Sequence, residues 1–170
     1  RLFILDEVFS PDGTCRTTVY SKRLNGSSFS FEDEISVITE QEDGLQWRVI
    51  YGDCTYRGLW WSPDSRKYVL ALDYDDENRL TLSWLDRNSS SNLNAYLSMG
   101  VETTELRKYG YSTPDGWPEI EYQFLQWGTD SASMLVYYVF EDSVGEDHSG
   151  YFWYNCETGA VDGILEMDSR

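Results

Sequence analysis

The chain has 170 residues, 41% of them hydrophobic, enough for one domain to bury roughly two-thirds of its unfolded surface around a core. Aromatic residues reach 16%, with thirteen Tyr, seven Trp and seven Phe, a composition that favours pleated sheet over helix. Thirty acidic residues against thirteen basic ones leave a net charge of −17, a field that repels nucleic acid and anionic lipid headgroups, and no run of about eighteen apolar residues is present to insert in a membrane as a helix.

In chain order, β-rich runs are predicted at residues 2–9, 15–21, 34–39 and 45–51, then 56–61, 68–73, 80–85 and 93–99, then 122–127, 134–140, 150–154 and 161–167. The first two runs of each set flank one recurring turn. Its three copies are Phe9-Ser10-Pro11-Asp12-Gly13, Trp61-Ser62-Pro63-Asp64-Ser65 and Trp127-Gly128-Thr129-Asp130-Ser131. In each, an aromatic residue is expected to end a strand inside the core. Pro presets φ for the turn, Asp accepts from nearby backbone N–H groups, and Gly or Ser lets the chain reverse. Later runs are closed by polar turns at Glu42-Asp43-Gly44, Asn88-Ser89-Ser90 and Glu157-Thr158-Gly159. The repetition predicts a single all-β domain of three four-stranded antiparallel units, at about 1–53, 54–100 and 119–170. A sandwich or barrel can also carry Ser-Pro-Asp turns, but does not require one strand succession to recur in register three times.

The aromatic-Ser-Pro-Asp-Gly/Ser turn between the first two strands of a four-stranded sheet resembles the blades of TolB-type and WD-like β-propellers. The resemblance covers about 150 residues as a pattern, with Gly128-Thr129 standing where the first two copies have Ser-Pro. It implies blades packed radially around a central channel. Propellers typically close with four to eight blades. Three blades leave a tight three-bladed ring, an open array with covered edges, or half of a six-bladed ring completed by a dimer partner.

Between the second and third units, an insertion at about 101–118 holds a predicted short helix at 102–108 and the turn-rich stretch Thr113-Pro114-Asp115-Gly116-Trp117-Pro118. Tyr109, Tyr111 and Trp117 on this insertion are the expected binding surface, because exposed aromatics on a loop suit protein contact; the alternative is a loop that covers a strand edge.

Signals for chemistry are sparse. His148 is the only histidine, so any Ser-His-Asp or multi-histidine site would have to use it, and its acidic hairpin loop predicts an ordinary solvated side chain. No G-x-S-x-G, phosphate-cradling Gly loop or H-E-x-x-H is present. The Asp73-Tyr74-Asp75-Asp76-Glu77-Asn78 cluster has oxygen ligands at alternate positions, which keeps calcium in view. Asn78 and Trp84 nonetheless stand where an EF-hand loop needs Gly and Glu, so a hairpin turn is expected there. Trp61, Trp127, Trp84 and Trp153 are expected to pack, leaving Trp47, Trp60 and Trp117 as surface aromatics. Cys15, Cys54 and Cys156 suit buried thiols or one Cys15–Cys54 bridge.

No catalytic residue, cofactor or metal ligand is therefore expected. The reading is a noncatalytic binding or scaffolding module whose partner is another protein or a second copy in a homodimer. The alternatives are a carbohydrate-active or other hydrolytic domain with paired carboxylates and a structural oligomerisation unit. The absence of an initiator Met before Arg1 points to export from the cytoplasm after removal of an upstream segment.

Overall fold

Alternating apolar and polar residues decide which way each strand faces, and a computed structural model shows how those faces combine. It describes residues 2–23, 33–74, 77–85, 92–96, 120–142 and 144–166. These form eleven strands and no helix: β1 (Leu2–Phe9), β2 (Cys15–Arg23), β3 (Asp33–Gln41), β4 (Gln46–Trp61), β5 (Lys67–Tyr74), β6 (Glu77–Leu85), β7 (Asn92–Tyr96), β8 (Glu121–Trp127), β9 (Ser133–Glu141), β10 (Asp147–Asn155) and β11 (Val161–Glu166). The chain divides into two compact units, residues 1–95 and 96–170.

The predicted strand positions hold, but the sheets divide differently. Instead of three separate four-stranded sheets, the strands make one seven-stranded sheet in the order β1 to β7 and one four-stranded sheet in the order β11-β10-β9-β8. The cause is β4, which runs 16 residues where two strands were expected. Its first half pairs with β3, from Glu40↔Gln46 to Asp33↔Cys54, and its second half pairs with β5, from Thr55↔Asp73 to Trp61↔Tyr68. At the junction Asp53 has φ of 57°. One left-handed residue bends a strand without reversing it, so the chain passes directly from one set of partners to the next.

Within the first unit the two halves of the long sheet share one core. Val19, Ile35, Val37 and Trp47 from β2–β4 cluster with Leu59, Trp61, Tyr68, Leu70 and Leu72 from the second half of β4 and β5. Trp61 meets Tyr68 edge-on with ring centroids 5.1 Å apart. The Tyr68 hydroxyl hydrogen-bonds Thr39 and Ser83, and burial pushes its pKa upward. β1 is tied to the second half by the Tyr56 hydroxyl, which donates to Asp6 Oδ2 at 2.6 Å. β5 is buried along Lys67–Leu72 whichever way its side chains point, which explains its uninterrupted Tyr-Val-Leu-Ala-Leu run.

Trp47 belongs to this core at 1% exposure, so its expected place on the surface is wrong. It lies opposite Thr39 on the inward side of β4. Trp60 is half-buried with its ring lying over Gly58, where any Cβ would strike it. Cys15 and Cys54 are buried thiols without a disulfide. They pair with Gln41 and Asp33 at opposite ends of β3, about 26 Å apart at strand rise, so a bridge between them is excluded.

All three recurring turns share one geometry. The N–H of Ser10, Ser62 and Gly128 donates to the carbonyl five residues on, and the N–H of Gly13, Ser65 and Ser131 donates back to that of Ser10, Ser62 and Gly128. Gly13, Ser65 and Ser131 have φ of 75°, 58° and 57°, the left-handed step that reverses the chain. In the first turn Ser10 Oγ donates to Asp12 Oδ1 and accepts the Cys15 N–H; Ser62 repeats this with Asp64 and Lys67.

The third turn shows why its motif differs. Asp130 Oδ1 accepts the N–H groups of Ala132 and Ser133 directly. A Cβ on Gly128 would come within 2.9 Å of that oxygen and 3.2 Å of the Ser133 carbonyl. Gly128→Ala is accordingly expected to destabilise the protein by about 1–2 kcal/mol, the usual cost of forced overpacking, read as a lowered urea midpoint. An unchanged midpoint would show that the turn yields freely.

In the second unit β9 turns Met134, Val136, Tyr138 and Phe140 to a buried face, joined by Phe124 from β8 and Phe152 and Tyr154 from β10. Tyr122 and Tyr138 meet Phe152 with centroids 6.1 and 5.9 Å apart. The opposite face carries Leu135, Tyr137, Val139, Tyr151 and Trp153, all half-buried.

Candidate functional site

Tyr109, Tyr111 and Trp117, the insertion at 101–118 and its predicted helix at 102–108 lie outside the described residues. What the described residues offer instead is a sheet face.

On the β1–β4 part of the long sheet, pairing aligns Ile4, Tyr20, Ser36 and Ile50 across all four strands. The neighbouring rows on the same face are Glu7-Thr18-Ile38-Arg48 and Phe9-Arg16-Glu40-Gln46, with Leu2-Lys22-Glu34 beyond Ile4. Leu2, Ile4, Phe9 and Ile50 are 50–65% exposed. Phe9 was expected to end its strand inside the core. The register instead gives the core side to Val8, opposite Thr17, and sends Phe9 outward with Arg16. Its counterpart Trp61 is 7% exposed because a second sheet half covers it.

At one end of this face a cleft of about 480 Å³ opens between the β1–β2 and β3–β4 turns, lined by Phe9, Thr14, Arg16, Glu40 and Gln46 among others. Arg16 Nη2 donates to Glu40 Oε2 at 2.5 Å and its Nη1 lies 3.8 Å from Glu7 Oε2. The Arg16 guanidinium holds Glu40 below the ordinary carboxylate range. Lys22 pairs with Glu34 at 3.9 Å. The face thus mixes exposed aliphatic side chains with three cations, in a protein that has thirteen.

A second cluster sits in the β9–β10 hairpin. His148 Nε2 and Asp142 Oδ2 share a hydrogen bond at 2.8 Å, Asp142 Oδ1 accepts the Val144 and Glu146 N–H groups, and Phe140 stacks on the imidazole at 5.2 Å. His148 is therefore half-buried and ordered by two neighbours, not solvated as its acidic context suggested. The Asp142, Glu146 and His148 ligand atoms lie within 4.8 Å of one another, a donor set that a divalent cation can use. The hydrogen bonds already account for the arrangement as a hairpin staple, and His148 with the backbone amides holds Asp142 below its usual pKa. Either side of the expected turn at Asp73–Asn78, β5 and β6 pair antiparallel up to Tyr74↔Glu77.

No protein-family model matches the chain, and no curated protein matches it in sequence. Solved structures do. The chain is similar over 98% of its length to the acylaminoacyl peptidase of Pyrococcus horikoshii, at 14% identity and a TM-score of 0.57. Over the same share it is similar to the β-propeller domain of the Trilobed protease from Pyrococcus furiosus, which has an open velcro topology, at 16% identity and a TM-score of 0.53. The fold is of the β-propeller type. The chain spans 25% and 43% of those two chains, and at such identity the likeness concerns the fold alone.

The exposed face of β1–β4 was not among the expected sites. Sequence reasoning missed this surface because it assigned every recurring aromatic to the core. Spacing alone gives no signal, since positions 2 and 4 share the parity of core-facing Val8, and only the bulge between Ile4 and Asp6 turns Leu2 and Ile4 to the side of Phe9.

Proposed function

We propose that this protein is a noncatalytic binding module of three blade-like units that engages another protein through the open face of β1–β4. The carrying observation is that face itself, a four-stranded surface with Leu2, Ile4, Phe9 and Ile50 exposed beside ion-paired Arg16 and Lys22. Exposed aliphatic patches rimmed by charge mark interaction surfaces. The three-unit reading is supported by strand succession: β1, β2, β3 and the first half of β4; the second half of β4 with β5, β6 and β7; and β8 to β11. Each succession passes through a turn of the same hydrogen-bond geometry.

The noncatalytic reading is supported by the carboxylates with shifted pKa among the described residues: Glu40, Asp64, Asp130 and Asp142 are all held below their ordinary range, whereas a general acid for hydrolysis needs a carboxyl pushed upward. Glu40, which lines the cleft together with Glu42, is ion-paired with Arg16.

Site-specific photo-crosslinking tests the reading, with benzoylphenylalanine at Phe9 or Ile4 in extract of the source organism. A protein adduct, of the chain itself or another chain, is expected at both positions. It should be absent from the same probe at Val144, which is 78% exposed on the β9–β10 hairpin. Equal labelling at Val144, or none at Phe9 and Ile4, would overturn the assignment.

A further inference from the structure

The repeat makes the exposed face of β1–β4 specific about what belongs there. Phe9 and Trp61 hold the same place in the same turn, and Trp61 is covered by the inward side of the β2–β4 strands in a shared core. Phe9 at 57% exposure lacks such a cover. The missing element is a four-stranded antiparallel sheet that presents the side opposite to its own turn aromatic.

The chain carries one more sheet face of that kind. On β8–β11 the side opposite Phe124 and Met134 exposes the edges of Leu135, Tyr137, Tyr151 and Trp153, with Tyr137 and Tyr151 rings 5.4 Å apart. Around these, register places Glu121, Glu141, Asp147 and Asp162 on the same side. From residue 120 to residue 166 the sequence contains no Lys or Arg. Two such faces would repel each other. The β1–β4 face instead sets Arg16, Lys22 and Arg48 beside Glu7, Glu34 and Glu40, so it is charge-balanced and brings no net repulsion against the acidic β8–β11 face, which lets apolar centre meet apolar centre.

We infer that the occupant of the β1–β4 face is the β8–β11 face of a second copy of this chain. This rests on the binding-module reading and names its partner. Four strands at about 4.8 Å spacing and seven residues at about 3.3 Å rise give a face roughly 20 Å on each side. Such a contact removes on the order of 1,000 Å² of accessible surface, at the low end of specific interfaces. The net charge of −17 on each copy opposes approach at low salt. Association therefore strengthens as ionic strength rises to about 0.15 M, where the Debye length shortens to roughly 8 Å.

Sedimentation velocity on the purified chain at about 0.15 M salt tests this. The expected species has twice the chain mass. Ile4→Glu and Arg48→Glu each raise the dissociation constant at least tenfold, with far-UV circular dichroism unchanged because both residues are exposed. The decisive arm mixes two variants. Arg48→Glu alone and Glu121→Arg/Asp147→Arg alone are mostly monomeric, and their mixture recovers dimer because the altered faces complement one another. Failure of the mixture to recover, or a dimer indifferent to all three variants, overturns the face assignment, as does a monomer up to about 100 µM. A monomer that still forms Phe9 adducts with another protein overturns the second copy as partner while leaving the binding module standing; a monomer without adducts removes both.

Discussion

Trp47→Ala is expected to lower the unfolding free energy by about 4 kcal/mol, the cost of emptying a fully buried large aromatic site. Trp47 is 1% exposed and shares its core with Val37, Val49 and Tyr51 on one sheet half and Leu70 and Leu72 on the other. The cavity would fall where the two halves of the long sheet meet, and rigid strands on both sides leave little room to collapse. A domain of ordinary stability holds about 5–15 kcal/mol in total. With a urea slope near 2 kcal/mol/M the midpoint should drop by about 2 M. Ile50→Ala, three positions along β4 on the opposite face and 50% exposed, should move it by less than about 0.5 kcal/mol. Equal losses at the two sites would mean that the core is not where the register places it.

Asp64→Ala is expected to cost about 2–3 kcal/mol. Lys67 is 3% exposed and its ammonium lies 3.4 Å from Asp64 Oδ2. Asp64 also accepts from the Ser62 hydroxyl and the Arg66 N–H. Deleting the carboxylate removes the anion beside a buried cation and one acceptor each from the Ser62 hydroxyl and the Arg66 N–H. A fully buried pair broken on one side costs about 3–5 kcal/mol, reduced here because the Asp64 side chain is 34% exposed. Burial alone would push the Asp64 pKa up, but Ser62, Arg66 and Lys67 together hold it below its usual value. Asp130, held low by the Ser133 and Ala132 amides, and Asp142, held low by His148, behave alike. A carboxyl with a depressed folded pKa adds stability above its unfolded pKa and loses it as pH falls toward the folded value. Urea midpoints should therefore hold from pH 7 to about 5 and fall steeply below about 4, with Asp64→Ala showing a shallower acid limb. An identical limb in the variant would remove Asp64 from the linkage.

Much of the strand plan was legible because its signals are local. Ser-Pro-Asp turns declare themselves through φ restriction and side-chain acceptors within five residues, and the three copies adopt one hydrogen-bond geometry. Even the departure at Gly128-Thr129 carries local information, since Asp130 takes the space that a Cβ would need. The break between residues 51 and 56 was misread because Gly52-Asp53 has turn composition. One left-handed residue there bends β4 without closing a turn.

Placement of aromatic residues was less legible. Trp47 and Phe9 both sit in strands with apolar neighbours, and nothing within a few residues of either says whether a second sheet lies over it. His148 looked solvated because its loop is acidic; its order comes from Phe140 across the hairpin and Asp142 six residues back.

By itself the sequence determined the all-β class, the turns at Asp12, Asp64 and Asp130, the order and extent of nearly every strand, and a net charge of −17. All of these follow from period, turn chemistry and composition, which act over a few residues or sum over the whole chain. The tertiary structure alone decided that β4 serves two sets of partners, that Trp47 is core while Phe9 is surface, and that Cys15 and Cys54 pair with opposite ends of β3. Each of those depends on which sheet covers which face, and that is set by contacts between residues far apart in the chain.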